Sequence, residues 1–308
     1  MRNAFASAVT ELASSEKRLV LLSGDIGNRL FDDFKSRHAD RFYNCGVAEA
    51  NMTGMAAGLA LGGLKPVTYT ITPFAVMRCL EQIRVDVCYQ NLPVIIVGTG
   101  SGLSYAGLGA THHSLDDIAV LRSFPNLTIL CPADPVEVRL ALKAALGLDG
   151  PAYLRIGKKG EPTVHQADPV FTIGEPITVR SGKSLCILST GNTLPLALEC
   201  AALLEQQGLS CRVDSFHTVK PLNFSALESV FAQFPLVVTL EEHALIGGFG
   251  SAVAEWRADA GPAARLLRIG TPDRFLHTAG GQQYARQTFG LTPEAILQKI
   301  LHGLDHAS

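Results

Sequence analysis

Short apolar runs that stop at glycine, alternating with helix-forming stretches, constrain this chain more than any other feature. RLVLLSG (18–24) and LPVIIVG (92–98) are built from leucine and β-branched residues. They read as strands buried on both faces, as in a parallel sheet. Between them, AEANMTGMAAGLALGG (48–63) is rich in small residues and helix formers, and AVMRCLEQIRVDVCYQ (75–90) reads as a second helix. LTILCPAD (127–134) and AYLRIG (152–157) are further strands, separated by PVEVRLALKAALG (135–147), a helix opened by proline. A polar stretch rich in Gly and Pro, residues 158–182, interrupts the pattern. The alternation then resumes with strands at 184–191, 210–216 and 236–242 and helices at 193–208 and 225–234. Right-handed crossovers between such strands give parallel sheets. The expected fold class is therefore α/β: two domains, each a mainly parallel sheet with helices on both faces. The first covers 1–165, a linker 166–182, and the second 183–308.

The bulk properties exclude several classes of function. A formal net charge of −2 with scattered Lys and Arg does not suit nucleic acid or an anionic membrane. No apolar run approaches the roughly 20 residues that span a bilayer, and the first residues read as an amphipathic helix rather than a signal peptide. Seven widely spaced cysteines, mostly in apolar segments, read as buried reduced thiols. A cytoplasmic location is expected, with no metal ligated by this chain.

Ligands of parallel α/β sheets bind beyond the carboxyl ends of the strands. GDIGNR (24–29) and SGLSYAGLGATHH (101–113) follow two of the expected strands, and each alone reads equally as a turn-forming loop. Glu49 is more specific: it is one acid inside a small, apolar stretch, NCGVAEANMTGMAAGLAL (44–61). It reads either as a helix-start acid near the amide dipoles or as a protected carboxyl that exchanges a proton with a ligand nitrogen.

This segment resembles the pyrimidine-binding domain of transketolases and 1-deoxyxylulose-5-phosphate synthases. Gly46, Val47 and Glu49 match the family's G-[VI]-x-E, and Ala57, Gly58, Leu59 and Ala60 match the end of its small-residue helix. YTITPFAVMRCLEQIR (69–84) resembles the family's aromatic stretch, with Arg78, Gln82 and Arg84 on its R…Q-x-R frame and Ile71 and Met77 replacing aromatics. LGATHHSLDDIAVLRSFPNLTILCPADPVE (108–137) and EEHALIGGFGSAVAEW (241–256) extend the resemblance over nearly the whole chain.

The resemblance implies a thiamine-diphosphate-binding fold followed by a transketolase C-terminal-like domain. It implies that Glu49 hydrogen-bonds N1′ of the cofactor's aminopyrimidine, that Phe74 stacks on that ring, and that Asp25, Ile26 and Arg78 belong to the cofactor site. His112 is implied to touch substrate oxygens, Arg155 to bind substrate phosphate, and Arg29 to supply a further anion or hydroxyl contact. His113 either shares the role of His112 or packs. Two family residues are replaced, a histidine by Gly100 and an aspartate by Leu108, which points to an unusual sugar substrate. Glu242 and His243 read as packing or interface residues.

The family anchors the diphosphate through Mg²⁺ held by a G-D-G…N motif, and this sequence contains none. A separate subunit carrying that motif is therefore expected, in an α₂β₂ heterotetramer. The expected activity is transfer of a two-carbon ketol unit from a ketose or ketose phosphate to an aldehyde. The β-subunit of a 2-oxo-acid dehydrogenase and a non-catalytic thiamine-diphosphate-binding paralogue are the competing readings.

Overall fold

A computed structural model of the chain describes residues 1–27, 29–158 and 160–305. The first domain contains β1 (Leu19–Ser23), β2 (Phe42–Asn44), β3 (Lys65–Ile71), β4 (Ile95–Thr99), β5 (Thr128–Leu130) and β6 (Ala152–Ile156). The second contains β7 (Ile177–Arg180), β8 (Leu185–Ser189), β9 (Cys211–Ser215), β10 (Thr218–Lys220), β11 (Leu236–Ala244) and β12 (Arg265–Thr271). One sheet has the order β10-β5-β6-β4-β3-β1-β2 and the other β12-β11-β8-β9-β7. All pairings are parallel except β10 with β5 and β7 with β9, both antiparallel at sheet edges. All five residues of β1, β4, β6 and β8 are buried, as leucine and β-branched runs covered on both faces should be. Each fully buried Leu or Val contributes about 1.5–3 kcal/mol relative to exposure.

Local signals explain the helices. Helix Pro135–Leu146 begins with proline, and the Asp134 carboxylate caps it by accepting Glu137 N–H at 2.8 Å. The Glu137 carboxylate reaches back to Ala133 N–H at 2.7 Å. Helix Glu49–Leu61 turns Met52, Thr53, Ala56, Ala57 and Ala60 into the protein, the spacing of one buried helical face. The helix expected at 75–90 is irregular. It runs as helix Thr72–Val76, a 3₁₀ turn Met77–Cys79, helix Leu80–Gln82 and a π-helical segment Ile83–Tyr89.

Two features depart from the sequence pattern. β7 lies inside the segment read as a linker, because its residues find an edge partner in β9. β10 follows β9 in the chain yet adds an edge to the first domain's sheet, with Thr218 opposite Leu130. The two domains thus share backbone hydrogen bonds, and one apolar cluster runs from Val20 and Ile96 through Phe216 and Val237 to Phe249.

A buried ion pair sits where the domains meet. Arg155 on β6 is 2% exposed and donates Nε–H to Asp117 Oδ2 at 2.7 Å. Its Nη2 donates to Ser114 O at 2.8 Å and to Glu242 O, on β11, at 3.1 Å. Tyr153 O–H donates to the same Asp117 oxygen at 2.6 Å. Burial pushes the Asp117 carboxyl up, but the Arg155 guanidinium, helped by His243 and Tyr153, holds it below the ordinary carboxylate range. Burial pushes the neighbouring His243 down to about 4. Arg155, expected to bind substrate phosphate, is buried where the domains meet, and its guanidinium donates to protein acceptors.

Removing one member of such a pair strands a buried charge. Asp117→Ala should cost about 3–5 kcal/mol in urea unfolding. Replacing Asp117 and Arg155 together by leucine and methionine should cost less than the two single changes summed.

Candidate active site

The carboxyl ends of β1, β3, β4 and β6 are level: Ser23 lies beside Tyr69, Ile71 beside Thr99, and Thr99 beside Ile156. The segments leaving β1, β3 and β4 meet around Glu49. Gly24 leaves β1 and lies against Glu49, so close to Thr70 that a Cβ on Gly24 would stand 2.9 Å from Thr70 Oγ1. Glu49 opens its helix and is 3% exposed. Its Oε2 accepts from Arg78 Nη1 at 3.0 Å and its Oε1 accepts from Thr70 O–H at 3.3 Å. A carboxylate this buried is tolerable because both oxygens have donors.

Phe74 and Arg78 lie one helical turn apart, which stacks the Arg78 guanidinium on the Phe74 ring, 3.8 Å from its centroid. Phe74 also meets His112, whose ring centre is 5.1 Å away at an interplanar angle of 69°. Glu49, Arg78, Phe74 and His112 therefore form one continuous set, although they are 63 positions apart at the extremes of the sequence. Thr111 O–H and His112 Nδ1 are 2.9 Å apart. Burial lowers the His112 pKa below its ordinary value, and the nearby His113 and Arg78 add to the effect. His113 is buried, with Nε2 3.3 Å from Ala106 O, and so packs inside the loop.

The remaining expected residues divide. Asp25 is exposed at the mouth of the cleft, in the left-handed region at φ 59°, and accepts from Asn44 Nδ2 at 2.8 Å. Ile26 is half-buried, its carbonyl accepting from Ser23 O–H at 3.1 Å, and its side chain packs into the core beneath β1. Arg29 is exposed and lines a separate groove with Arg2, Ala6, Thr10 and Asp33 on the side of helix Arg2–Ser15. Arg155 lies in the inter-domain core.

Tyr105 joins the site with no signal in the sequence. Gly100 has φ +80°, and a Cβ there would overlap the Tyr105 ring. The space of the missing side chain at 100 is therefore filled by that ring, which also contacts His112 with centroids 6.4 Å apart. Leu108, the other altered position, is 58% exposed on the same loop. No sequence spacing links Tyr105 to Gly100; the tight loop brings them together. Among the described residues no group of three or more His, Cys, Asp or Glu could hold a metal ion, and no helix is long and apolar enough to cross a membrane.

The arrangement offers a shielded carboxylate beside an aromatic shelf, with a neutral imidazole across it. That suits a planar nitrogen heterocycle whose ring nitrogen exchanges a proton with Glu49. Comparison with known proteins identifies the family. Residues 1–161 match the model of the transketolase pyrimidine-binding domain, and residues 174–296 match that of the transketolase C-terminal domain. One subunit of the apulose-4-phosphate transketolase of Actinobacillus succinogenes is 36% identical over 268 residues, 87% of this chain and 86% of that protein. The 6-deoxy-6-sulfo-D-fructose transketolase subunit SqwH of a Clostridium species is 34% identical over 299 residues, 97% of this chain and 92% of that protein. A solved structure described as "split gene transketolase, inactive beta4 tetramer" superposes with a TM-score of 0.91 at 33% identity, covering 99% of this chain and 98% of the other. With both family models and relatives of subunit length matching from end to end, the chain belongs to the transketolase family of thiamine-diphosphate-dependent transferases.

Proposed function

We propose that this chain is the pyrimidine-binding subunit of a heteromeric transketolase. A separate subunit holds the cofactor's diphosphate and Mg²⁺, and the pair passes a two-carbon ketol unit from a ketose or ketose phosphate to an aldehyde. The buried Glu49 carboxylate, paired with Arg78 whose guanidinium stacks on Phe74 beside His112, carries this reading. Two similar proteins are named as subunits, and the structural relative described as a β4 tetramer is described as inactive. Both fit a chain that needs a different partner, in an α₂β₂ assembly. Val47, Leu61 and Tyr89, each at least 70% exposed around the helix that Glu49 opens, offer apolar surface for that partner. A cytoplasmic location fits the seven free cysteines.

The residues present fit the cofactor's aminopyrimidine: Phe74 is the stacking surface, Glu49 the proton partner of N1′, and Asp25 lies at the mouth. Thiamine diphosphate, when bound, supplies the carbon nucleophile and electron sink for cleaving the ketose C2–C3 bond. Glu49 would hold a proton at N1′, its 3% exposure limiting competition from water. Thr70 fixes one carboxylate oxygen; Arg78 pairs with the other and turns its guanidinium plane to Phe74. His112, neutral at pH 7, can accept a proton from a substrate hydroxyl and return it. Tyr105 and Leu108 replace polar family contacts with bulk at the donor end, which favours a sugar other than the common ketose phosphates.

Glu49→Gln should fold normally, with unchanged circular dichroism and melting. In the two-subunit complex it should lower kcat about 10²–10⁴-fold, the cost of losing a general acid–base group; wild-type turnover would reject the assignment. The chain without its partner should show no ketol transfer. Chelation should abolish turnover of the complex, and Mg²⁺ should restore it, while the melting curve of this chain alone stays unchanged.

His112 should titrate below 6.5, the ordinary histidine value, when followed by NMR of labelled imidazole. A depressed value means that the neutral form persists at pH 6.5, so the acid limb of kcat/KM should lie below that pH. Arg78→Gln removes a neighbouring positive charge and should move the titration upward; no movement would show that burial and His113 set it without Arg78.

A further inference from the structure

The second domain grips both limbs of the loop that carries His112. Gly102 and Ser114 close the base of this loop with an antiparallel bridge, Ser114 N–H donating to Gly102 O at 2.9 Å. On one limb, Leu103 N–H donates to Glu242 Oε1 at 2.7 Å. On the other, Ala244 N–H donates to Leu115 O at 2.8 Å, and Arg155 joins Ser114 O to Glu242 O. Between the limbs, Tyr105 and Phe74 flank the His112 ring.

Glu242 is the centre of this grip. It has no exposed surface, and its carboxylate collects donors from four places. Besides Leu103 N–H, Oε1 accepts from Asn192 Nδ2 at 3.1 Å and Gln282 Nε2 at 3.0 Å, and Oε2 accepts from the Arg286 guanidinium. The contact is close. Gly102 has φ +61°, and a Cβ there would collide with Glu242 Oε1 and lie 2.8 Å from the Glu242 carbonyl oxygen. The loop is therefore pressed onto the carboxylate with no room for another side chain. An apolar residue of equal size would leave the Leu103 N–H, two amides and a guanidinium without an acceptor. The donors select a carboxylate, and the carboxylate selects one position of the loop.

We infer that Glu242 is a positioning residue for ketol transfer: from the second domain it fixes residues 102–114 so that His112 stands over Phe74 beside the Glu49 cleft. This rests on the reading of His112 as a substrate contact. It gives the second domain a task in the chemistry, although none of its side chains belongs to the set around Glu49. Misplacing a catalytic group by about 1 Å can cost roughly 10²-fold in rate.

The test is Glu242→Gln, which keeps the volume but replaces one acceptor oxygen by a donor. In the full-length chain, the His112 ring resonances should lose the ring-current shifts set by Phe74 and Tyr105. Their titration should also move back toward the ordinary value. In the complex with partner, thiamine diphosphate and Mg²⁺, with hydroxypyruvate as donor and glycolaldehyde as acceptor, kcat should fall about 10²-fold while KM for the cofactor changes little. In a His112→Asn background the same change should cost little more. Gly102→Ala, whose Cβ would force the loop and the Glu242 carboxylate apart while keeping the residue at 242, should reproduce the shifted resonances and serves if Glu242→Gln fails to fold. Unmoved His112 resonances, or losses that multiply with His112→Asn, would overturn the inference and leave Glu242 as structural glue. Wild-type turnover of His112→Asn would instead overturn the reading of His112, and the resonances would still decide whether Glu242 sets the loop.

Discussion

The ion pair between Asp117 and Arg155 carries the joint between the two domains. Both side chains are fully enclosed, and the guanidinium reaches at once to Asp117, to the Ser114 carbonyl and to the Glu242 carbonyl of the other sheet. Neither charge can be buried alone at reasonable cost, so the pair tolerates one relative placement of β6, the loop before residue 117 and β11. Its value to the protein lies in that uniqueness as much as in stability. Glu241, beside it, illustrates the same constraint. Burial raises its carboxyl to about 7 even though the Phe249 and Gly250 N–H groups donate to it at 2.7 and 2.8 Å.

Beside that joint, the first sheet gathers the residues around Glu49. The parallel sheet of the first domain aligns four strand ends, and the segments leaving them bring Gly24, Glu49, Thr70 and Phe74 to one place. The remaining wall is the loop 102–114, which has neither strand nor long helix of its own and is held at its base from the second domain. The loop of His112 in one domain thus packs on Glu242 and Ala244 of the other. The Glu49 carboxylate is buried without being denied partners, since Arg78 and Thr70 donate to its two oxygens.

Several placements that the sequence pattern does not reveal share a cause. Arg155 matched the neighbourhood of a family arginine, but the strand that carries it is buried on both faces, so its side chain turns into the joint. Arg29 follows a glycine-rich loop at a strand end and is exposed in a groove beside helix Arg2–Ser15. β3 escapes the apolar pattern because Thr68 and Thr70 interrupt its run; both are buried, with strands on either side, and Thr70 serves Glu49. β10 is three residues long, too short for any periodicity, and exists because β5 offers it an edge.

The sequence by itself determined the two α/β domains, the strands that are uniform apolar runs, and the small-residue helix opened by Glu49. Those signals are local: side-chain shape, glycine and proline punctuation, and one acid where acids are costly. Only the tertiary structure decided that Arg155 is a core residue, that Tyr105 fills the space left by Gly100, and that Glu242 reaches across to hold the loop of His112. Each of these depends on contacts between residues far apart in the chain. Burial and hydrogen-bond satisfaction fix such contacts, and no spacing along the chain encodes them.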